Sequence, residues 1–153
     1  MRAFSEGVSR EIGMQSGLVL TYRATDYVAY GHSRAFLIRV GHHSLVIDGL
    51  LTRLKVKSGA FLTACSPFSK SLSEGANAYW DRELKGHLRA RGFAYLVGQG
   101  RGTTGDWPPE ASIFVFGISR REASAVARRF RQNAIVYVTM GRPAELVVLR
   151  WLR

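Results

Sequence analysis

The chain predicts an α+β fold: a single domain with a mixed or mainly antiparallel sheet and about three helices packed on it. Short β-prone runs recur along its length, and capped segments of helical periodicity alternate with them. No internal repeat, low-complexity tract or Pro/Ser linker divides its 153 residues. That length, with 46% hydrophobic and 22% charged residues, matches one domain burying roughly 70% of its unfolded surface. Residues 1–12 read as a loosely held N-terminal segment and 13–153 as the domain.

Met14 to Tyr22 carries apolar residues at spacings that predict a first helix. Asp26–Tyr30 and Ala35–Val40, separated by Gly31-His-Ser-Arg34, predict a hairpin. Val46, Ile47, Leu50, Leu51 and Leu54 recur at helical spacing behind the capping residue Ser44, with Gly59 closing the segment. Ala60–Cys65 then reads as a buried central strand. Ser71 and Glu74 have capping-box spacing, and a long helix follows with Ala76, Trp80, Leu84 and Leu88 as its buried stripe and Gly92 as its stop. Phe93–Val97 is a strand, followed by a glycine-rich loop from Gly98 to Gly105. Ser112–Gly117 predicts the next strand. Ser119 and Glu122 form a capping box, Ile118 and Ala123 a hydrophobic staple, and Ala123, Val126, Ala127 and Phe130 the packed face of an arginine-rich helix. Asn133 is the expected left-handed residue at its end. Strands Ala134–Val138 and Glu145–Leu149, joined around Gly141-Arg-Pro143, complete the domain.

Net charge is +11, from 22 basic and 11 acidic residues. Residues 82–153 hold 13 Lys/Arg against 5 Asp/Glu, and residues 1–81 hold 9 against 6. Such an excess attracts polyanions in a salt-sensitive way. Eighteen of the basic residues are arginine, so arginine-rich codon usage is the competing explanation. No apolar run approaches the ~18 residues of a membrane span, so no membrane is expected. The first residues lack the apolar core of a secretory signal, which makes the cytoplasm the expected location. Cys65 stands alone, excluding an intramolecular disulfide and a cysteine-based zinc site. His32, His42, His43 and His87 have no metal-binding spacing; no metal and no cofactor are expected.

Gly98–Gly105 reads first as a connection and second as a loop whose backbone N–H groups, with Arg101, cradle an anion. It lacks a Gly-Lys-Ser/Thr ending, and Thr103 occupies the place of the third glycine of a dinucleotide fingerprint. Asp106 and Glu110 flank Trp107-Pro108-Pro109, a rigid turn able to offer a base and a stacking surface, although a turn plugging the core edge is the simpler account. Thr63, Ser66 and Ser69 lie between a strand end and the helix carrying Asn77, where donors converge on anions or cap the helix. Arg120, Arg121, Arg128 and Arg131 share one side of the arginine helix; Arg120 and Arg121 sit at its unfavourable N-terminal end, where an anion would relieve the charge.

Phe61-Leu-Thr-Ala-Cys-Ser-Pro67, Leu72-Ser-x-x-x-x-Asn77, Gly98-x-Gly-Arg-x-x-x-Gly-Asp-Trp-Pro-Pro-Glu110, Phe116-Gly-Ile-Ser-Arg-x-Glu-Ala123 and Gln132-Asn-Ala-Ile-Val136 together resemble the bacterial family known as domain of unknown function 3293. The resemblance spans about Tyr22 to Val138. It implies a small α+β domain of bacterial origin and no particular chemistry. Ser66 precedes Pro67 where the family pattern has Asn. Charge placement instead sets the expectation, a noncatalytic binding or regulatory domain for an anionic partner, nucleic acid or an acidic protein, using Arg101 and the arginine helix. The alternative is a small enzyme with a polar cleft built from Thr63, Ser66, Asn77, Arg101, Asp106 and Glu110.

Overall fold

The computed structural model describes residues 17–67, 71–103 and 108–149. Residues 1–12 and the first residues of the expected N-terminal helix lie outside them. Among the described residues, four helices, where about three were expected to pack on the sheet, accompany seven strands. They run α1 (17–23), β1 (Thr25–Tyr30), β2 (Ala35–Ile38), α2 (Leu45–Arg53), β3 (Ser58–Leu62), α3 (Glu74–Ala90), β4 (Tyr95–Gly102), β5 (Glu110–Phe116), α4 (Arg120–Arg129), β6 (Ala134–Thr139) and β7 (Glu145–Val148).

The strands form one sheet in the order β2-β1-β4-β5-β3-β6-β7, and every neighbouring pair is antiparallel. The sheet curls until its edges approach: Val40, just past β2, bridges Ala144, just before β7, and Gly41 N–H donates to the Ala144 carbonyl at 2.7 Å. Alternation along each strand divides the core between the two faces. Phe61, Phe114, Phe116, Val136 and Val138 gather on the inner face with Ile47, Leu50 and Leu51 of α2. Ala60, Leu62, Ile113, Val115, Ile135 and Tyr137 pack on the outer face against Leu84 and Leu88 of α3 and Ala123, Val126 and Ala127 of α4.

Local signals hold where all partners are near in sequence. Ser44 caps α2 by accepting from Ile47 N–H, and the Ser119/Glu122 capping box is complete on α4. Ile118 and Ala123 are both buried, as the staple requires. Gly92 takes a left-handed φ of +81° just past α3.

Several expectations are corrected. Helix α2 stops at Leu54, followed by Lys55 at φ 59°, so Gly59 does not end it but lies within β3. That strand therefore spans Ser58–Leu62, leaving Thr63 to Cys65 beyond it as a turn. Helix α3 starts at Glu74, which makes Ser73 its cap, accepting from Ala76 N–H, in place of Ser71. Trp80 is 41% exposed and does not belong to the buried stripe of Leu84 and Leu88. The left-handed residue after α4 is Arg131 (φ 57°) rather than Asn133, which is buried.

The largest correction concerns the glycine-rich segment. Gly98 to Gly102 is the C-terminal part of strand β4, paired throughout with β1 on one side and as far as Gly100 with β5 on the other. A Cβ on Gly98 would lie 2.3 Å from the Val28 carbonyl oxygen and 3.2 Å from the Phe61 ring. This glycine permits a close approach between strands and does not form an anion cradle.

Candidate functional site

The turn after β3 and the start of β5 bring part of the expected cleft together. Thr63 Oγ1 donates to the Ala111 carbonyl at 2.7 Å and lies 3.4 Å from Glu110 Oε1. It also accepts the Cys65 N–H at 3.1 Å, so the hydroxyl is the centre of the turn. Burial, only partly offset by the Thr63 contact, raises the Glu110 carboxyl to about 7. A carboxyl poised there can exchange protons near neutral pH. Burial also pushes the Cys65 thiol up, with the negative charges of Glu110 and Asp81 adding to the effect, so the thiolate a nucleophile needs is disfavoured.

Asn77 and Ser66 meet through the backbone: the Ser66 N–H donates to Asn77 Oδ1 at 2.9 Å. Ser66 has φ 45°, a conformation that Asn tolerates better than Ser. The side-chain oxygen of Asn77 thus holds a left-handed turn in place. Gln132, in the link between α4 and β6, braces the same corner, donating from Nε2 to the carbonyls of Cys65 and Phe130, each at 3.1 Å.

Arg101 does not join this group. Gly100 pairs with Glu110, so the next residue, Arg101, points to the opposite face of the sheet. There its Nη2 donates to the Tyr30 hydroxyl at 2.9 Å, beside Gln99. Ser69, Asp106 and Trp107 lie outside the described residues. The five described residues of the expected six-residue cleft therefore divide into a Thr63–Glu110 contact, a Ser66–Asn77 brace, and Arg101 on the far face.

The arginine helix also divides. Arg120 forms an ion pair with Glu145 and lies over the Tyr137 ring, 5.7 Å from its centroid. The anion that relieves its N-terminal position is thus supplied by β7. These two side chains line an open groove of about 490 Å³ with Thr139, Arg142, Pro143 and Ala144. Arg121, Arg128 and Arg131 are exposed, and none has an ion pair among the described residues.

Arg129 and the end of α3 were missed from sequence. The His87 ring lies 5.9 Å from Phe130, and its pKa is lowered by burial first and then by the charges of Arg129 and Arg91. Basic residues from the C-terminal ends of both helices therefore act on one imidazole. The available signal was the spacing of Trp80, His87 and Arg91, which follows the same side of α3 as Leu84 and Leu88.

No helix among the described residues is long and apolar enough to cross a membrane, and none of these residues form a cluster of three His, Cys, Asp or Glu able to hold a metal ion. No curated protein and no solved structure matches the chain. Residues 62–135, which run from the end of β3 through α4 into β6, match the family described as Protein of unknown function (DUF3293).

Proposed function

We propose that this protein is a noncatalytic binding domain for a polyanionic partner, with nucleic acid the candidate, engaged through the solvent face of α4. The supporting observation is that Arg121, Arg128, Arg129 and Arg131 are exposed without an ion-pair partner among the described residues. The apolar face of the same helix is buried on the sheet, so its cationic face is turned to solvent. Four such charges make affinity steeply salt-dependent, with log K falling by about 0.9 per phosphate contacted for each decade of salt on duplex DNA. A salt titration with a mixed nucleic-acid pool tests this. Reversing Arg128 and Arg131 to Glu must weaken binding and flatten the salt slope; wild-type protein that binds nothing even at low ionic strength ends the proposal.

A second reading, a small enzyme using Glu110 as acid or base, draws support from the near-neutral pKa of that carboxyl beside the Thr63 hydroxyl. Screening wild type against Glu110→Gln on generic ester and phosphate substrates tests it. Equal rates for the two proteins would dismiss it.

A further inference from the structure

We infer that the seam between α3 and α4 binds single-stranded nucleic acid, with bases stacking on Trp80 and the phosphates following Arg129 and Arg91. This rests on the polyanion proposal and names the class of partner.

Trp80 is 41% exposed and its neighbour Tyr79 is 48% exposed, an unusual amount of aromatic surface for one helical turn. The indole is positioned by two near-perpendicular ring contacts, one with Tyr79 (centroids 5.1 Å, 77°) and one with Phe130, the C-cap residue of α4 (6.5 Å, 80°). Neither neighbour stacks parallel on it, so the parallel arrangement is left to an incoming base. Phe130 is itself buried and anchors the seam. Its other edge-on contact is His87, the imidazole that feels Arg129 and Arg91.

Along α3, His87 and Arg91 lie about 10 and 16 Å beyond Trp80 at ~1.5 Å per residue. That interval spans a few nucleotides of an unstacked strand. An exposed ring followed by cations, here Arg91 and Arg129 with no ion pair among the described residues, is the pairing that single strands use, because their bases are free to leave the stack and every base has an aromatic face. Duplex DNA keeps its bases enclosed and would present only phosphates here. Charge complementarity therefore selects a polyanion, and the ring selects one with free bases.

The test compares binding of a labelled oligothymidylate, a duplex of equal length and inorganic polyphosphate at low salt. Trp80→Leu keeps apolar bulk without a ring, and Trp80→Phe keeps a ring. Trp80→Leu should weaken oligothymidylate roughly tenfold or more, with polyphosphate unchanged and Trp80→Phe retaining most of the affinity. As a second readout that does not require the Leu variant to fold, a chain whose other tryptophans are replaced (Trp107→Phe, Trp151→Phe) should show Trp80 emission quenched by oligothymidylate and not by polyphosphate. Tenfold-unaffected binding by Trp80→Leu, or emission that oligothymidylate leaves unchanged, overturns the inference while the polyanion proposal stands. Failure of all three probes to bind wild type removes both.

Discussion

Thr63 lies 3.4 Å from the Glu110 carboxylate but has a nearer acceptor for its single proton in the Ala111 carbonyl, at 2.7 Å. The ionised carboxylate is therefore poorly served, whereas a protonated Glu110 can donate to the Thr63 oxygen. Burial outweighs the weak Thr63 contact that favours the ionised form, so the neutral acid is favoured.

This arrangement fixes a pH dependence. The folded-state pKa of Glu110, about 7, lies above its ordinary value of 4.5. The folded protein binds the extra proton between those values, so the contribution is complete below 4.5 and is lost as pH rises through 7. The shift corresponds to an amount on the order of 3 kcal/mol. Glu110→Gln, whose amide can donate to Thr63 at any pH, should be more stable than wild type by about 1–3 kcal/mol at pH 8 and nearly equal at pH 4. Urea unfolding of both proteins at the two pH values checks this; a difference independent of pH would contradict it.

How far the chain could be read follows from how local each signal was. The α4 cap needs only Ser119 and Glu122, and the outer-face stripe needs only one helix, so both were legible. The β4 glycines were not, because their extended form is imposed by pairing with β5 and with β1, a strand distant in sequence. Arg101 fell to the wrong side of the proposed cleft for the same reason: once Gly100 pairs with Glu110, alternation alone decides its direction. Trp80 had the right helical spacing for the core, but the surface beside it is the α3–α4 seam, and no pattern within α3 reveals how far α4 covers it.

Gly98 should tolerate no side chain. The nearest obstacle to a Cβ is a backbone oxygen of the adjacent strand, Val28 O at 2.3 Å, which cannot move without disturbing the ladder. Gly98→Ala is expected to cost at least about 2 kcal/mol. Gly100→Ala serves as the control: its Cβ would meet Thr25 and Tyr27 side chains no nearer than 3.5 Å. Denaturant midpoints that shift equally for the two variants would refute the close-approach explanation.

At the β3–α3 turn, Ser66 carries a left-handed φ of 45° stabilised by its N–H bond to Asn77. Ser66→Asn should recover part of the roughly 1–2 kcal/mol that this conformation costs an ordinary L-residue, and Asn77→Ala should destabilise by leaving the Ser66 N–H unpaired. Thermal unfolding of the two single variants checks the signs. Asn at position 66 that lowers stability would show that the turn is not limited by its backbone conformation.

His87 provides a proton-linked test of the basic seam. In the free protein, burial, then Arg129 and Arg91, hold its pKa below 6.5, so the folded state resists protonation that the unfolded chain accepts. Stability accordingly falls as pH drops through the ordinary imidazole value and is unaffected above it. A phosphate bound beside Arg129 and Arg91 would offset those charges and favour the imidazolium, raising the pKa toward or beyond 6.5. Binding then takes up a fraction of a proton between the two pKa values, and reciprocity requires affinity to increase as pH falls across that window. Titrating the His87 ring by NMR with and without oligothymidylate measures both quantities. A His87 pKa that is unchanged or lowered by the oligonucleotide would place the phosphates elsewhere, because no anion can approach two guanidiniums that act on this ring without acting on the ring itself.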